Sequence, residues 1–242
     1  YKRQIPFVLW ELRCDDPLID VRMFRSPALG PVFLTAGLFG VSVLGAQAPL
    51  STFARTDPGV YGYGLGTTGF ATSLIIGLYL IAMIAGALLF PLVARLVSPR
   101  ITLMGASLLV GIGFLLFLPF HDSYVQVVTN MVIVGLGSGA LVAALPAAAA
   151  SAAPATQTGV ATGLTNSVKT VGGAIASCIF GIALLNGVSG AVEGTAGSFA
   201  GYVTVWVVCG VTALVAAAIL VSVPKEAFTD RTDAEAVATP IA

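Results

Sequence analysis

Long apolar stretches dominate this chain and constrain its fold more than any other feature. Six of them are each long enough to cross a bilayer, and together they contain one ionisable residue, Lys169. About 20 consecutive apolar residues match the roughly 30 Å hydrocarbon core of a membrane. The composition agrees, since 57% of the residues are hydrophobic and only 9% are charged. The sequence therefore predicts spans over residues 28–50, 70–93, 101–119, 124–148, 160–186 and 199–223.

Helices are the structure that these spans can form in lipid. Every backbone donor and acceptor must be satisfied within the membrane, and strands achieve this only in a closed barrel. Barrel strands alternate polar and apolar residues over about ten positions, whereas these stretches are longer and continuously apolar. We predict an all-α membrane protein with a linker or interfacial segment over residues 1–27, a six-helix bundle over 28–223 and a disordered tail over 224–242.

The basic residues lie almost entirely on one side of the predicted spans. Nine lie on the side that carries both termini, namely Lys2, Arg3, Arg13, Arg22, Arg25, Arg95, Arg100, Lys225 and Arg231. The opposite side has Arg55 alone. Because cytoplasmic loops collect Lys and Arg, we expect both termini to be cytoplasmic in a cell (plasma or inner) membrane. An even number of spans requires the same arrangement.

Several kinds of function have no support in the sequence. A formal net charge of zero gives no indication of a nucleic-acid partner. There is no Gly-rich phosphate loop ending in Gly-Lys-Ser/Thr, and a single histidine, His121, cannot supply a metal site or a catalytic triad. A lone histidine in a loop is more often solvated than bound to a ligand. We therefore expect no enzymatic activity, no cofactor and no metal.

All eleven acidic residues fall outside the predicted spans. A carboxylate buried in the membrane is the usual proton carrier of a pump or antiporter. If this protein couples transport to protons, we expect the titrating carboxylate to lie on a part outside this chain. The chain opens with Tyr1 rather than Met, and we expect it to be a fragment or a cropped sequence.

The fifth span carries a polar stripe. Its members recur at spacings of three and four, which places them on one face of a helix: Thr158, Thr162, Thr165, Lys169 and Gly172. Such a face should avoid lipid and point to the bundle interior or to a wet cavity. Lys169 lies about 14 Å into the span at 1.5 Å per residue. Two readings stay open: the ammonium faces a cavity, or it extends to the membrane surface.

Three amides within the spans are further candidates for a cavity wall. Asn166 lies beside the polar stripe, Gln47 lies in the first span, and Asn130 lies in the fourth. Together with Lys169, Thr165 and Thr162 they form the predicted set of cavity-lining residues. For any one of them, a hydrogen bond between helices is the simpler alternative.

Glycines within the spans predict close helix packing. Small residues at spacings of three and four let a neighbouring backbone approach, and packing rather than hydrophobicity joins helices in lipid. The glycines predicted to pack in this way are Gly135, Gly139, Gly159, Gly163, Gly172 and Gly173.

Two segments of the chain resemble the major facilitator superfamily. Residues 10–13 (WELR) and 17–25 (PLIDVRMFR) resemble the segment that leads into the second half of these transporters. Residues 159–174 (GVATGLTNSVKTVGGA) are similar to the penultimate helix of the fourteen-span drug:proton antiporter group, where a basic residue often precedes a Gly-Gly pair. The turn with Arg95 and Arg100 follows the same plan, although Leu96-Val97-Ser98-Pro99 departs from the family pattern.

This resemblance implies a six-helix half-bundle, the carboxy-terminal half of an exporter whose amino-terminal half is missing. It implies proton-coupled efflux of small amphipathic molecules, as in multidrug resistance, with membrane lipid as the surroundings. One alternative is uptake or exchange of a metabolite on the same scaffold. Another is a membrane assembly or sensory subunit that transports nothing.

Overall fold

The elements of the described part of the chain are all helices, joined by short connections. The computed structural model describes residues 21–185 and 196–222, so most of the predicted linker, the loop at 186–195 and the predicted tail lie outside it. A short 3-10 helix, Val21–Arg25, precedes the first span. The α-helices are α1 (Leu29–Phe39), α2 (Gln47–Arg55), α3 (Pro58–Tyr61), α4 (Gly69–Leu96), α5 (Pro99–Leu115), α6 (Tyr124–Ala152), α7 (Thr158–Leu185) and α8 (Phe199–Ser222).

Five of the predicted spans are confirmed as helices long and apolar enough to cross a membrane. The exception is the third span, because α5 has 17 residues and ends at Leu115 rather than near residue 119. Its last turn tightens into 3-10 geometry, with the amide of Phe117 donating to the carbonyl of Phe114. Pro119 disfavours helical backbone at the residue before it, which explains the early end.

The first span is a broken helix rather than a continuous one. A π-helical segment, Gly40–Leu44, follows α1, and a turn at Gly45 and Ala46 leads into α2. Pro49 explains the break, since it has no N–H to donate to the carbonyl of Gly45 and its ring clashes with that carbonyl in a regular helix. The span reaches Arg55, five residues beyond the predicted end.

The segment after α2 folds back on itself. Asp57 caps α3 by accepting a hydrogen bond from the amide of Gly59, and Gly62 then takes a left-handed φ of 76°. The amide of Thr67 donates to the carbonyl of Ala54 at 2.9 Å, which closes the turn. The connection is thus held by its own backbone over residues 56–67.

The five candidate spans and the shorter apolar helix α5 alternate in direction, so the described bundle has two ends. We call them the Arg100 end, where α5 begins and α8 finishes, and the His121 end, where α2 and α5 finish and α6 begins. At the Arg100 end the guanidinium of Arg100 donates to the carbonyls of Leu220 and Val221. These bonds satisfy two of the carbonyls that the last turn of α8 leaves free.

The segments pair in a repeated pattern. The second span, α4, packs along the fourth, α6, and the fifth span, α7, packs in the same way along the first. The third span packs on the fourth and the sixth packs on the first, while α5 and α8 pack on each other. Exchanging spans one to three with spans four to six reproduces the pattern, as expected for a bundle of two three-helix units.

Glycine makes the two closest pairings possible. A Cβ added at Gly139 would lie 2.6 Å from the carbonyl carbon of Met83, and one at Gly40 would lie 2.8 Å from that of Lys169. Gly135, Gly172 and Gly173 likewise lie against a neighbouring helix. Gly159 and Gly163 have no atom within 4 Å of such a Cβ.

Candidate substrate-binding site

Helix α7 presents three different faces along its length. One face packs into the bundle through Ala161, Gly173 and Phe180. A second is exposed and strongly apolar, and its members are Val171, Ile175, Ile179 and Ile182, each more than half exposed. The third is also exposed but consists of small and polar residues, namely Gly163, Asn166, Ser167, Thr170 and Ser177. The second face suits lipid, whereas the third suits protein or water.

The predicted polar stripe lies along the packed face of α7. Thr165 is 1% exposed, so it lies within the bundle, and its hydroxyl donates to the carbonyl of Ala161 at 2.8 Å. The hydroxyl of Thr162 donates in the same way to the carbonyl of Thr158 at 2.9 Å. Gly172 lies directly against Gly37 of α1. Both threonine hydroxyls are thus satisfied within their own helix.

Lys169 lies at the edge between the packed face and the polar exposed face. It is about 17 Å along α7 from Thr158, at 1.5 Å per residue. Its Nζ donates to Oδ1 of Asn166 at 2.9 Å, while its backbone carbonyl lies against Gly40. Among the described residues Lys169 forms no ion pair with a carboxylate. An ammonium has three donors, so this pair can offer further N–H groups to a bound acceptor.

The other two predicted amides lie in different places. Asn130 is buried in α6, and its Nδ2 donates to the carbonyl of Phe120 at 2.8 Å, which fastens the connection between α5 and α6. Gln47 begins α2 and lies at the rim of a cavity. The structure therefore brings Asn166 and Lys169 together and places Gln47 and Asn130 on other helices.

The cavity at Gln47 is mostly apolar and has a volume of about 300 Å³. It lies between the first, second and fourth spans, next to the break in the first, and α5 contributes Phe114. Its lining residues are Val43, Ala46, Gln47, Leu50, Ile76, Tyr79, Leu80, Phe114, Met131 and Val134. A cavity of this size with a few polar groups is typical of sites for small molecules.

The comparison with known protein families agrees with this architecture. The sequence model of the Major Facilitator Superfamily matches residues 32–241, which is most of the chain. The chain belongs to the major facilitator superfamily. Members of this family are membrane transporters of small molecules and not enzymes, and together with the apolar helices the match supports a multi-pass membrane transporter. A search of curated proteins finds no match to the chain.

Sequence reasoning did not assemble this cavity. The sequence predicts Gln47 as a lining residue, and Tyr79 and Phe114 could line an aromatic cavity, although aromatic residues of a span more often face lipid or core. Met131 and Val134 are ordinary apolar residues of α6 with no pattern that distinguishes them. The one available signal was Pro49, because a proline within a span indicates a break where side chains can diverge.

Proposed function

We propose that the protein is a secondary active exporter of small amphipathic molecules, driven by a proton gradient across a cell membrane. Membership of the major facilitator superfamily supports transport, and the cavity at Gln47 supports the kind of cargo. An almost entirely apolar wall with one amide at its rim suits a molecule with a large apolar body and one polar group. This cavity is the observation on which the proposal depends.

A second bundle completes the transporter in this proposal, and this chain is the carboxy-terminal half. Two of the membrane segments are poorly covered: 22% of the most apolar stretch of α4 and 17% of that of Ala155–Leu185 are buried, compared with 61% in Leu29–Arg55. Lipid can cover apolar side chains, but it solvates an amide and an ammonium poorly. Asn166 and Lys169 therefore favour a protein partner or a wet cleft on that face of α7.

Proton coupling needs a titrating group near the middle of the membrane. The two acidic residues in the described part, Asp57 and Asp122, lie in connections at the His121 end. We assign the titrating carboxylate to the second bundle. In this arrangement the Arg100 end is cytoplasmic, since it carries Arg25, Arg95 and Arg100 and the opposite end carries Arg55.

Accumulation of a fluorescent amphipathic dye in cells that express the full-length protein tests the function. We expect expressing cells to accumulate less dye than control cells, and we expect an uncoupler of the proton gradient to remove the difference. Greater accumulation in expressing cells would show uptake instead. Equal accumulation with a panel of amphipathic dyes, at verified protein levels in the membrane, would contradict the proposal.

Variants of Lys169 test its part in that function. Lys169→Gln removes the charge and keeps a polar side chain of similar reach, whereas Lys169→Arg keeps the charge. We expect the Gln variant to lower dye efflux severalfold and the Arg variant to retain most of it, at unchanged protein levels. Ser151→Ala, at the Arg100 end of α6, is a control. Normal efflux in Lys169→Gln would show that the cation has no role in transport.

A further inference from the structure

An aromatic cluster holds His121 at the end of the bundle opposite Arg100. The imidazole ring lies between three rings from two other segments: its centroid is 6.2 Å from Phe53, 5.3 Å from Phe199 and 5.4 Å from Trp206. The His121 side chain is 17% exposed. The ring is therefore embedded between the end of α2 and the start of α8. A histidine in a loop is usually solvated instead.

The hydrogen bonds of His121 leave the neutral ring incompletely satisfied. Its Nδ1 lies 2.9 Å from the backbone carbonyl of Phe117. A carbonyl oxygen only accepts, so Nδ1 must carry the proton and donate. In the neutral ring Nε2 is then a bare acceptor, and it lies 3.4 Å from Oδ1 of Asp122. Two acceptors face each other, which is unfavourable.

A second proton removes this conflict. Protonated Nε2 donates to the Asp122 carboxylate, which forms a charge-assisted hydrogen bond. The positive ring also gains from Phe199 and Trp206, since a cation within about 6 Å of a ring centroid is attracted to that ring. The Asp122 side chain is 81% exposed, so solvent screens the attraction between its carboxylate and the imidazolium. The aromatic contacts are less open to water.

Other ionisable groups lie on the segments that pack against this cluster. Tyr63 packs on Phe199 at 5.4 Å, and burial, with smaller contributions from Tyr202 and Tyr61, raises the pKa of its phenol. Tyr202 packs on Phe53 at 5.2 Å, and Arg55 ends the helix that carries Phe53. Histidine is the side chain that ordinarily changes charge between about pH 5 and 8.

We propose that His121 is a proton-binding site, and that the bound proton fastens the ends of α2 and α8 to the connection between α5 and α6. The site goes beyond the transport proposed above, since it needs no cargo. Acid at this face stabilises the arrangement of helix ends described here, and its removal loosens them. The pH on this side of the membrane thereby sets how readily the His121 end of the bundle opens.

Trp206 provides a direct readout, because a protonated imidazole beside an indole quenches its fluorescence. The chain has two tryptophans, so Trp10→Phe leaves Trp206 as the single reporter. In detergent or nanodiscs we expect reversible quenching as the pH falls through the histidine range, from about 8 to 5. His121→Asn retains an amide N–H for the Phe117 carbonyl and should show no such transition. A flat wild-type response, or the same transition in His121→Asn, would overturn the proposal.

Asp122→Asn separates the proton site from its partner. The exposed amide no longer stabilises the imidazolium, so the transition should persist and its midpoint should move to lower pH. This variant changes a surface side chain and serves as a second test if His121→Asn fails to fold. A midpoint that stays at the wild-type value would rule out the contact between Nε2 and Asp122.

Amide hydrogen exchange tests the fastening itself. After correction for the intrinsic pH dependence, we expect peptides covering residues 50–56 and 197–206 to exchange about two- to fivefold more slowly at pH 6 than at pH 8, as a partly exposed ion pair allows. His121→Asn should show no difference. Equal protection at both pH values in the wild type would contradict the proposal. Neither readout depends on transport. A negative dye assay would therefore contradict the proposed export, whereas a negative titration would contradict the proton site at His121.

Discussion

The two closest helix pairs of the bundle reach the same contact in different ways. In the pair of α4 and α6, two regular helices meet where Gly139 lies against the backbone of Met83 and Ala87. In the pair of the first span and α7, Gly40 lies against the backbone of Lys169 and Gly173, but here the first span changes to π geometry. Both helices of the first pair keep α geometry at the contact, and we call it the rigid pair, whereas the second pair combines a break, a cation and a polar exposed face.

This difference assigns separate roles to the two pairs. Regular helices that interlock through glycine cannot shift without losing contacts on both sides, so the pair of α4 and α6 stabilises the bundle. π-Helical segments inside helices are frequent at functional sites. The break in the first span also borders the cavity at Gln47. We therefore expect changes in the first pair to affect folding, and changes in the second to affect transport as well.

The largest effect should come from filling the contact of the rigid pair. In Gly139→Ala the new Cβ would lie 2.6 Å from the carbonyl carbon of Met83 and 2.9 Å from the amide nitrogen of Ala87, and backbone atoms cannot move aside. Overpacking of this kind costs about 1–3 kcal/mol or more. We expect a lower yield of monodisperse protein and a lower unfolding temperature in detergent.

Gly77→Ala on α4 is the matched control for that change. A Cβ at Gly77 meets no atom within 4 Å, so the same substitution adds the same methyl group without a clash. Its yield and unfolding temperature should equal those of the wild type. If Gly139→Ala behaved like Gly77→Ala, the helices would not be as close as the structure places them.

Gly40→Ala should have a smaller effect on stability than Gly139→Ala. Its Cβ would also clash, at 2.8 Å from the carbonyl carbon of Lys169 and 3.1 Å from the amide nitrogen of Gly173. The turn at Gly45 and Ala46 lets the first span move as two pieces, which relieves part of the strain. Unfolding temperatures of the two variants in the same detergent provide the measurement. Equal losses would show that the break gives the first span no extra freedom.

The sequence predicts where the helices of the two pairs lie, but not which of their residues are in contact. The apolar pattern places the second span at residues 70–93, close to the observed Gly69–Leu96, because burial in lipid requires a continuous apolar run. The glycine spacing predicts contacts at Gly135, Gly139, Gly172 and Gly173, but it predicts them equally for Gly159 and Gly163, which have open space. Spacing identifies a helix face, whereas the partner of that face depends on tertiary packing.

The contacts of His121 are a second feature that depends on tertiary packing and that the sequence pattern does not predict. Phe53, His121 and Trp206 lie far apart in the sequence, and no periodic pattern connects them. Their contact follows from the pairing of the third and sixth spans and from the extension of the first span to Arg55. A histidine in a short connection therefore looks solvated in the sequence and becomes embedded when the helices assemble.

A smaller effect should come from the hydroxyl pair that ties the π segment to α8. The Oγ atom of Ser42 lies 2.8 Å from the Oγ1 atom of Thr212. Thr212→Val keeps the shape and removes the bond, and hydrogen bonds between membrane helices contribute about 0.6 kcal/mol on average. We expect a small fall in unfolding temperature.

Tyr124→Phe removes a longer hydrogen bond of the rigid pair, 3.3 Å from the phenol to the carbonyl of Ala71. This variant should lower the unfolding temperature less than Thr212→Val does.

Gly163→Ala should have the smallest effect on stability. It should also distinguish the roles of the two helix pairs most clearly. Like Gly77, Gly163 has open space around an added Cβ, so both variants should fold as well as the wild type. Gly163 lies on the small and polar face of α7, where we place the second bundle, whereas α4 has no such polar stripe. Gly163→Ala should therefore lower dye efflux severalfold while Gly77→Ala leaves it unchanged, with both measured at equal protein levels. Normal dye efflux by the Gly163→Ala variant would show that this face of α7 accommodates an added methyl group and is not a close contact surface.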